Sequence, residues 1–400
     1  MTSPTITVRA GHPDFLDLPW STPLAEWDVP SLVELPKGIS RHTVRFVATE
    51  SGIYAIKELP ERPARNDYTV LRQLEEVAAP AVKAVGLVTQ RSSDPQAEIS
   101  AALITAYESF AFSYRELMAG PGFGPNRSRM LDAFAYLLVQ LHLMGCFWGD
   151  CSLSNVLYRW DADTIETVMV DAETAALHSE GLTAGRRQED IAIMIENVAG
   201  GMADIAALAG NTLDEADLAL GEEVAERYGD LWTELADEIV IAADERFRIG
   251  ERVQRINALG FDVDEIDVLP TEDGSEIRFK LRIGGRTFHA RRLRDLTGIE
   301  ARENQARQIL YDLYYFQTRD GSNSPTLKNV SAVRWRVTEF EPMIAALAQI
   351  GGVKNPIQAF CDLLHHRYLM ATAAGRDITT TEAFPDWIAA GRPGYPAPGY

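Results

Sequence analysis

The sequence is poor in cysteine and lacks any long apolar run. Its three cysteines, Cys146, Cys151 and Cys361, form no CxxC pair and no metal-ligand cluster, which suits a reducing cytoplasm. No uninterrupted apolar stretch approaches the length of about twenty residues that a spanning helix needs, so no membrane span is predicted. The N-terminal residues lack a basic region followed by an apolar run, so we expect no secretory signal and a cytoplasmic protein.

Basic residues are also scarce relative to acidic ones. The chain has 58 Asp and Glu against 38 Lys and Arg, which gives a formal net charge of −20. A surface of this sign repels nucleic acid and anionic membrane, so we expect neither as a general partner. The 400 residues, 46% of them apolar, are sufficient for two or three domains with hydrophobic cores.

The first half of the chain is rich in strand patterns and then in helix patterns. Alternating or buried apolar residues predict strands at 41–59 (a pair), 82–89, 101–107 and 168–170. Apolar residues at helical spacing predict helices at 65–78, 128–144 and 188–208. This order indicates an α+β domain with two lobes over residues 1–228, with the N-lobe at about 31–107 and the C-lobe at about 108–228.

The second half is predicted to be a mostly helical module over residues 229–395. Helical patterns occur at 230–258, 300–317, 326–349 and 355–373, and a further one, at 213–228, ends the preceding domain. Residues 277–283 alternate strictly, and Gly284-Gly285 then leads into residues 286–290. This pattern predicts a small β-hairpin with one apolar and one basic face.

The most informative segment is Asp150-Cys151-Ser152-Leu153-Ser154-Asn155, which is followed by Asp171 at the end of a predicted strand. An Asp and an Asn five residues apart, with a second Asp further on, is the layout of a kinase catalytic loop and its metal-binding partner. In that layout Asp150 is the catalytic base, and Asn155 and Asp171 hold Mg²⁺ on the phosphates. Glu173 is a second metal carboxylate or a solvated acid. Taken alone, each residue has a simpler interpretation as a cap or turn residue, so the prediction depends on the joint spacing.

A lysine upstream completes the pattern. Lys57 ends Tyr54-Ala55-Ile56-Lys57, which is close to the Val-Ala-Ile-Lys of a kinase third strand, where the ammonium contacts phosphates. The lysine needs an acid on the following helix. Asp67 has the right offset within the helix, and Glu75 and Glu76 are rivals by distance along the chain.

These residues resemble protein-kinase-like folds, especially the lipopolysaccharide-kinase-like (Kdo/WaaP-like) branch. Three later segments, 261–265, 296–300 and 303–307, are similar to the actinobacterial family called domain of unknown function 4032, as is Leu18-Pro19-Trp20. The resemblance implies an atypical kinase-like domain with ATP and Mg²⁺ as cofactors, fused to an uncharacterised module. The implied partners are a nucleotide and an unknown small-molecule or protein acceptor.

Several positions depart from the protein-kinase pattern. No glycine-rich loop precedes Lys57, and the only nearby turn is at 37–40. Gly149 stands where protein kinases carry Arg, Ser152 stands where many carry Lys, and Asp171-Ala172-Glu173 replaces Asp-Phe-Gly. These departures favour an atypical or small-molecule kinase over a regulated protein kinase. They leave open the alternative of a pseudokinase, a nucleotide-binding scaffold or sensor that acts through its C-terminal module.

The predicted hairpin and the residues after it carry a basic cluster without acids. Its members are Arg278, Lys280, Arg282, Arg286, Arg291, Arg292 and Arg294. One interpretation is an anion-binding site, formed chiefly by Arg278, Lys280, Arg282, Arg291 and Arg292. The other is a solvated face whose charges pair with acids on the kinase-like domain.

Overall fold

A computed structural model of the chain describes residues 3–35, 41–114, 126–210, 212–271, 275–319 and 325–394. The chain divides into two compact units, which are treated separately below. The first unit comprises Met1–Arg159 and Thr167–Leu231, and the second comprises Trp160–Glu166 and Trp232–Tyr400. The units are therefore not the contiguous segments that the sequence predicted. The turn at 160–166 groups with the second unit because the buried Ala162 belongs to that unit's core.

The first unit begins with a six-stranded antiparallel sheet. Its strands are β1 (Thr5–Val8), β2 (Leu32–Val33), β3 (Val44–Thr49), β4 (Gly52–Leu59), β5 (Ala84–Thr89) and β6 (Ala101–Ala106). They lie in the order β1-β5-β6-β4-β3-β2. The N-lobe thus starts before residue 31, because β1 pairs with β5 and forms the edge of its sheet.

The segment between β1 and β2 covers one face of this sheet. Phe15, Trp20, Leu24 and Trp27 are buried there in a cluster with sheet residues such as Ile56. The indole rings of Trp20 and Trp27 meet edge to face with centroids 5.1 Å apart. Burial of several large side chains explains why a segment rich in proline, which cannot form a long helix, is nonetheless ordered.

Helix α1 (Glu61–Glu76) follows β4 directly and presents an apolar stripe to the sheet. Its buried residues include Ala64, Val70, Leu71 and Leu74, and one buried acid, Asp67, lies among them. The predicted helix at 65–78 therefore starts four residues earlier than the pattern indicated and ends two residues earlier.

The C-lobe of the first unit is mainly helical, with short strands around the candidate site. Its elements are β7 (Ala111–Phe112), α2 (Arg127–Leu143), β8 (Cys146–Phe147), β9 (Val156–Asp161), β10 (Thr164–Met169), β11 (Ala176–Leu177), α3 (Ala184–Ala209), α4 (Glu215–Leu218) and α5 (Leu220–Ala236). A 3₁₀ turn, Leu153–Asn155, joins β8 to β9. The strands form two small sheets, in the orders β10-β9-β7 and β11-β8. Hence the candidate loop lies between short strands that fix both of its ends.

The second unit contains a three-stranded sheet and a helical core. Its elements are β12 (Ile239–Ala242), α6 (Phe247–Ala258), β13 (Val263–Pro270), β14 (Glu276–Ile283), α7 (Phe288–Thr297), α8 (Glu303–Arg319), α9 (Pro325–Trp335), a π-helical turn (Arg336–Phe340), α10 (Glu341–Ala348), α11 (Pro356–Ala374) and α12 (Thr380–Ala389). The core is built around Trp335, Phe360 and Trp387. No helix in the described part of the chain is long and apolar enough to cross a membrane.

The structure corrects two predictions in this unit. The predicted helix at 230–258 is interrupted by β12, and the predicted hairpin does not form. Instead β14 is the central strand of a sheet in the order β12-β14-β13. Its backbone is paired on both edges, and its alternating apolar residues are buried on one face of the sheet. Residues after Gly284-Gly285 start α7, whose first N–H groups, from His289 and Ala290, donate to the carboxylate of Glu303. That carboxylate, from a residue further along the chain, gives the N–H groups at the helix N-terminus the acceptors that they lack within the helix.

Candidate active site

Lys57 lies in the centre of the N-lobe sheet and is held by two carboxylates. It is on β4, opposite Leu103 of β6. Its Nζ lies 2.5 Å from Oδ2 of Asp67 and 3.0 Å from Oδ1 of Asp171. Of the acids on α1 that the sequence offered, Asp67 is the partner, while Glu75 pairs with Arg9 at 2.5 Å. Lys57, Asp67 and Asp171 thus come together although they are 10 and 114 residues apart.

Burial and charge act in opposite directions at this cluster. Burial disfavours the charged lysine, but the charges of Asp67 and Asp171 outweigh it and raise the pKa of Lys57. Burial is the main influence on Asp67 and raises its pKa to about 6, against the lowering effect of Lys57. A protonated lysine bridging two acids is therefore the arrangement near neutral pH.

Helix α1 also anchors the segment after Asp171. The second carboxylate oxygen of Asp67 accepts a hydrogen bond from the backbone N–H of Ala172 at 3.0 Å. The side-chain amide of Asn66 donates to the carbonyl groups of Glu173 and Ala175, at 2.9 and 3.0 Å. The position of α1 and the position of the Asp171 segment are consequently fixed by the same two residues.

The loop that contains Asp150 and Asn155 is tied to the Asp171 segment by backbone contacts. The N–H of Val170 donates to the carbonyl of Asn155 at 3.0 Å. The indole N–H of the buried Trp148 donates to the carbonyl of Asp171 at 2.9 Å. These two bonds hold both segments side by side at the ends of β9 and β10.

Two side-chain amides donate hydrogen bonds to the carboxylate of Asp150. Asn155 Nδ2 donates to its Oδ2 at 3.0 Å, and Asn197 Nδ2 donates to its Oδ1 at 2.9 Å. Sequence reasoning missed Asn197, which lies on α3 far along the chain. Its only local signal was its place on the predicted helix that carries Asp190. The pair of amides orients the carboxylate and leaves it able to accept a further hydrogen bond.

A buried acid, Asp190, holds the loop that contains Asp150 by hydrogen bonds to its backbone. Asp190, near the start of α3, accepts the backbone N–H groups of Trp148 and Gly149 at 2.7 and 2.8 Å and faces His142 Nε2 at 3.1 Å. Burial would raise the pKa of Asp190, but these hydrogen bonds outweigh it and lower the pKa. His142 in turn contacts the hydroxyl of Tyr228 at 2.8 Å, which marks it as a structural residue of this network.

Glu173 is engaged in a separate network. One of its oxygens pairs with Arg41, the other lies 3.1 Å from Nε2 of His42, and Lys57 Nζ is 4.0 Å away. His42 also faces Glu98 at 3.0 Å. The role of Glu173 as a metal ligand stays a prediction, and here its oxygens already have protein partners. The turn at 37–40, considered for the phosphates, lies outside the described residues.

Three of the candidate residues, Lys57, Asn155 and Asp171, line one cavity of about 180 Å³ in the first unit, whereas Asp150, Asp67 and Glu173 are not among its lining residues. Other polar residues that line it are Thr105, Glu108, Ser113 and Ser154. The apolar side is formed by side chains from both lobes, among them Val44, Ala55, Val82, Leu103, Leu157 and Val170. A cavity lined by apolar side chains together with a lysine, an amide and a carboxylate suits a ring system bearing an anionic tail.

The oxygen atoms that Asn155 and Asp171 bring to this cavity suit Mg²⁺. Asn155 uses its amide N–H to bind Asp150, which leaves its amide oxygen as a hard ligand, and Asp171 supplies a carboxylate. In the described ranges, no group of three or more His, Cys, Asp and Glu side chains forms a ready-made metal cage. Mg²⁺ in nucleotide sites is usually held by one or two carboxylates together with substrate phosphates, so such a cage is not required.

The basic cluster does not converge on one point. Arg278, Lys280 and Arg282 alternate along the exposed face of β14, whereas Arg291 and Arg292 lie on α7. Arg278 pairs with Glu238 at 3.2 Å. Arg282 pairs with Glu265 at 2.6 Å, and Arg291 pairs with Asp262 at 2.6 Å. The acids therefore belong to the second unit, rather than to the kinase-like domain, and the anion site stays a prediction with most of its charge already paired.

Comparison with known proteins gives a match for each part of the chain. Residues 51–208 match the model of the lipopolysaccharide kinase (Kdo/WaaP) family, and residues 230–391 match that of the domain of unknown function DUF4032. No curated protein gives a significant match.

Two solved structures are similar to part of the chain. WaaP in complex with acyl carrier protein is 17% identical with a TM-score of 0.31, over 50% of this chain and 88% of that one. The Rio2 kinase–ADP/Mg²⁺–phosphoaspartate complex from Chaetomium thermophilum is 14% identical with a TM-score of 0.32, over 52% of this chain and 72% of that one. The family matches confirm the resemblance that the motifs carried: the chain joins a kinase-like N-terminal domain, similar to the Kdo/WaaP family, to a DUF4032 region.

Proposed function

We propose that the first unit binds ATP with Mg²⁺ and transfers the terminal phosphoryl group to a hydroxyl acceptor. The observation that supports this most strongly is the presence of Lys57, Asn155 and Asp171 among the residues that line a single, partly apolar cavity. A site for a nucleotide triphosphate needs this combination of an ammonium and two oxygen ligands.

The apolar part of the cavity would hold the base, and Lys57 would contact the phosphates. Asp67 keeps Lys57 charged and in place, since its carboxylate is fully buried and has no solvent to compete for it. Asn155 and Asp171 would hold Mg²⁺, which would neutralise phosphate charge when bound.

Asp150 would orient the acceptor hydroxyl and take its proton. The amides of Asn155 and Asn197 fix the carboxylate so that its free lone pairs point in one direction. The acceptor would be a small molecule or a protein, in the cytoplasm, where the three buried free cysteines would remain reduced.

A nucleotide-binding scaffold without turnover is the second candidate. Ser152 supplies no positive charge for the transferred group, and Glu173 close to Lys57 is already paired with Arg41 and His42. Such a protein would use the same cavity for binding and would signal through its C-terminal module.

Incubation of the full chain with radiolabelled ATP and Mg²⁺ separates the candidates. For a phosphotransferase, we expect hydrolysis or transfer that falls by about 10²- to 10⁴-fold in Asp150→Ala, the usual contribution of a general base, while nucleotide binding persists. Asp204→Ala changes an exposed acid of the same unit and should leave turnover intact. Tight binding with no turnover in the unaltered protein would instead support the scaffold.

A further inference from the structure

A second cavity, of about 300 Å³, lies within the second unit and has no part in the proposed phosphoryl transfer. Its walls come from α8, the π-helical turn, α11 and the start of α12. Apolar surface is supplied by Phe316, Trp335 and Ile378. The volume is at the lower end of the range for small-molecule pockets, about 300–1,000 Å³, so the cavity has the size for a small metabolite.

Two of the charged groups in this cavity neutralise each other. Arg367 pairs with Asp312 at 2.7 Å and donates to the hydroxyl of Thr380 at 2.7 Å. The other oxygen of Asp312 accepts the indole N–H of Trp335 at 2.9 Å. Asp312 and Arg367 therefore bind other groups of the protein, and they form a rigid polar wall of the cavity.

Two other charged side chains, Arg319 and Glu339, also line the cavity. Within the described ranges, neither Arg319 nor Glu339 has an oppositely charged side chain at ion-pair distance. Arg319 instead rests over the ring of Tyr315, with 5.7 Å from its guanidinium carbon to the ring centroid. A cation–π contact of this kind orders the guanidinium and leaves its N–H groups available to a ligand.

Glu339 is presented by an irregular element. It lies in the π-helical turn Arg336–Phe340, and turns of this type occur frequently at functional sites. Burial and the nearby charge of Asp312 raise the pKa of Glu339, while Arg367 and Arg319 oppose that shift. A partly buried carboxylate gains most from a cationic hydrogen-bond donor.

We propose that this cavity binds a small zwitterion of the amino-acid class, with the ligand carboxylate on Arg319, its ammonium on Glu339 and its side chain against Trp335 and Ile378. Among the described residues this cavity presents one cation and one anion without an ion-pair partner, and such a pair calls for a ligand with the opposite pair of charges. A simple anion would leave Glu339 unpaired, and a simple cation would leave Arg319 unpaired.

Isothermal titration of the full chain with the proteinogenic amino acids, without nucleotide, tests the proposal. The best ligand is then compared with its des-amino acid and its amide. We expect the amino acid to bind at least about tenfold more tightly than either analogue, since each lacks one charge-assisted hydrogen bond. Glu339→Gln should remove the advantage over the des-amino acid, and Arg319→Gln the advantage over the amide.

Matched controls change exposed charges elsewhere in the same unit. Glu251→Gln and Arg246→Gln should bind like the unaltered chain, and melting curves should show that all variants are folded. The proposal is overturned if no amino acid binds the unaltered chain. It is also overturned if the des-amino acid binds equally well, which would indicate a plain anion site, or if neither cavity variant changes the affinities. ATP affinity, measured in parallel, reports separately on the first unit.

Discussion

At the scale of single residues, the pairing of Lys57 with Asp67 determines how the site responds to pH. Aspartate is one methylene shorter than the glutamate common at this position in kinases, and the 2.5 Å contact shows that it still reaches Lys57. Because burial raises the pKa of Asp67 to about 6, this acid titrates nearer to neutrality than an ordinary aspartate.

We predict an acid limit to phosphoryl transfer near pH 6. As pH falls through that value Asp67 takes up a proton and loses its hold on Lys57, so kcat/KM should drop by about tenfold per pH unit below it. A pH–rate profile measures this. Asp67→Asn should give low activity without that limb, whereas Glu75→Gln, on the same helix, should keep it. A profile in which Asp67→Asn retains the same limb would contradict the assignment.

Asn197 provides a second prediction at this scale. Removing its amide in Asn197→Ala frees one oxygen of Asp150, and we expect kcat to fall by about tenfold, with the KM for ATP little changed, because orientation alone is lost. The exposed neighbour Glu196 supplies the control, Glu196→Ala, which should have no effect. A variant that raised KM for ATP and left kcat intact would argue against a positioning role.

The candidate site shows which of its residues local sequence could reveal and which it could not. Asp150, Asn155 and Asp171 were recognisable because a loop and a following strand impose fixed spacings on them. Asn197 was missed because it reaches Asp150 from α3, 47 residues away, and no spacing rule links the two. The partners of Glu173 were equally hidden, since Arg41 and His42 lie in another lobe of the first unit.

At the scale of elements, helix α3 supports the loop that contains Asp150 through Asp190. Its carboxylate serves two backbone N–H groups and a histidine in a fully buried place, so no water can replace it. The loop therefore depends on α3 for its shape.

Asp190→Ala should destabilise the first unit by about 3 kcal/mol, because two buried donors lose their acceptor. That corresponds to a fall of roughly 6–12 °C in the melting temperature of a unit of this size. Calorimetry at neutral pH measures the change, with the exposed Glu189→Ala as control. Since the pKa of Asp190 is lowered in the folded state, its contribution is present at neutral pH and lost in acid. An unchanged melting temperature would refute the bracing role.

Prediction of elements succeeded where the periodicity was unambiguous. Helix α2 occupies Arg127–Leu143 against a predicted 128–144, because its apolar positions recur at one spacing throughout. The prediction of elements failed around β14 because the two strands that pair with it could not be recognised in the sequence. The acidic β13 shows no clean alternation, and the apolar β12 was absorbed into a predicted helix. The start of α7 depends on a carboxylate from Glu303, which local sequence could not disclose.

At the scale of the whole molecule, the two compact units are interleaved along the chain. The segment 160–166, which comprises the end of β9, the turn and the start of β10, belongs to the second unit. There the buried Asp161 accepts the N–H groups of Asn304 and Gln305 at 2.9 and 2.8 Å. It thereby caps the N-terminus of α8, a role that favours a carboxylate.

Asp161→Ala should therefore destabilise a part of the chain more than 140 residues away. We expect a cost of about 2–4 kcal/mol for the two uncapped donors, seen as faster hydrogen exchange at residues 303–319. Asp163→Ala is the comparison, since Asp163 makes a less buried pair with Arg307 at 3.2 Å and should change exchange little. Loss of protection confined to residues 156–169 would contradict the assignment.

The dependence of ATP binding on Mg²⁺ tests the central claim most directly. Titrations of the full chain with ATP, with and without Mg²⁺, should show that the metal strengthens binding, and Asp171→Asn should abolish that gain while metal-free binding persists. Such a result would mean that Asp171 holds the cation against the nucleotide. If Mg²⁺ strengthens binding equally in Asp171→Asn, or if the unaltered chain binds no ATP, the account of this cavity is wrong.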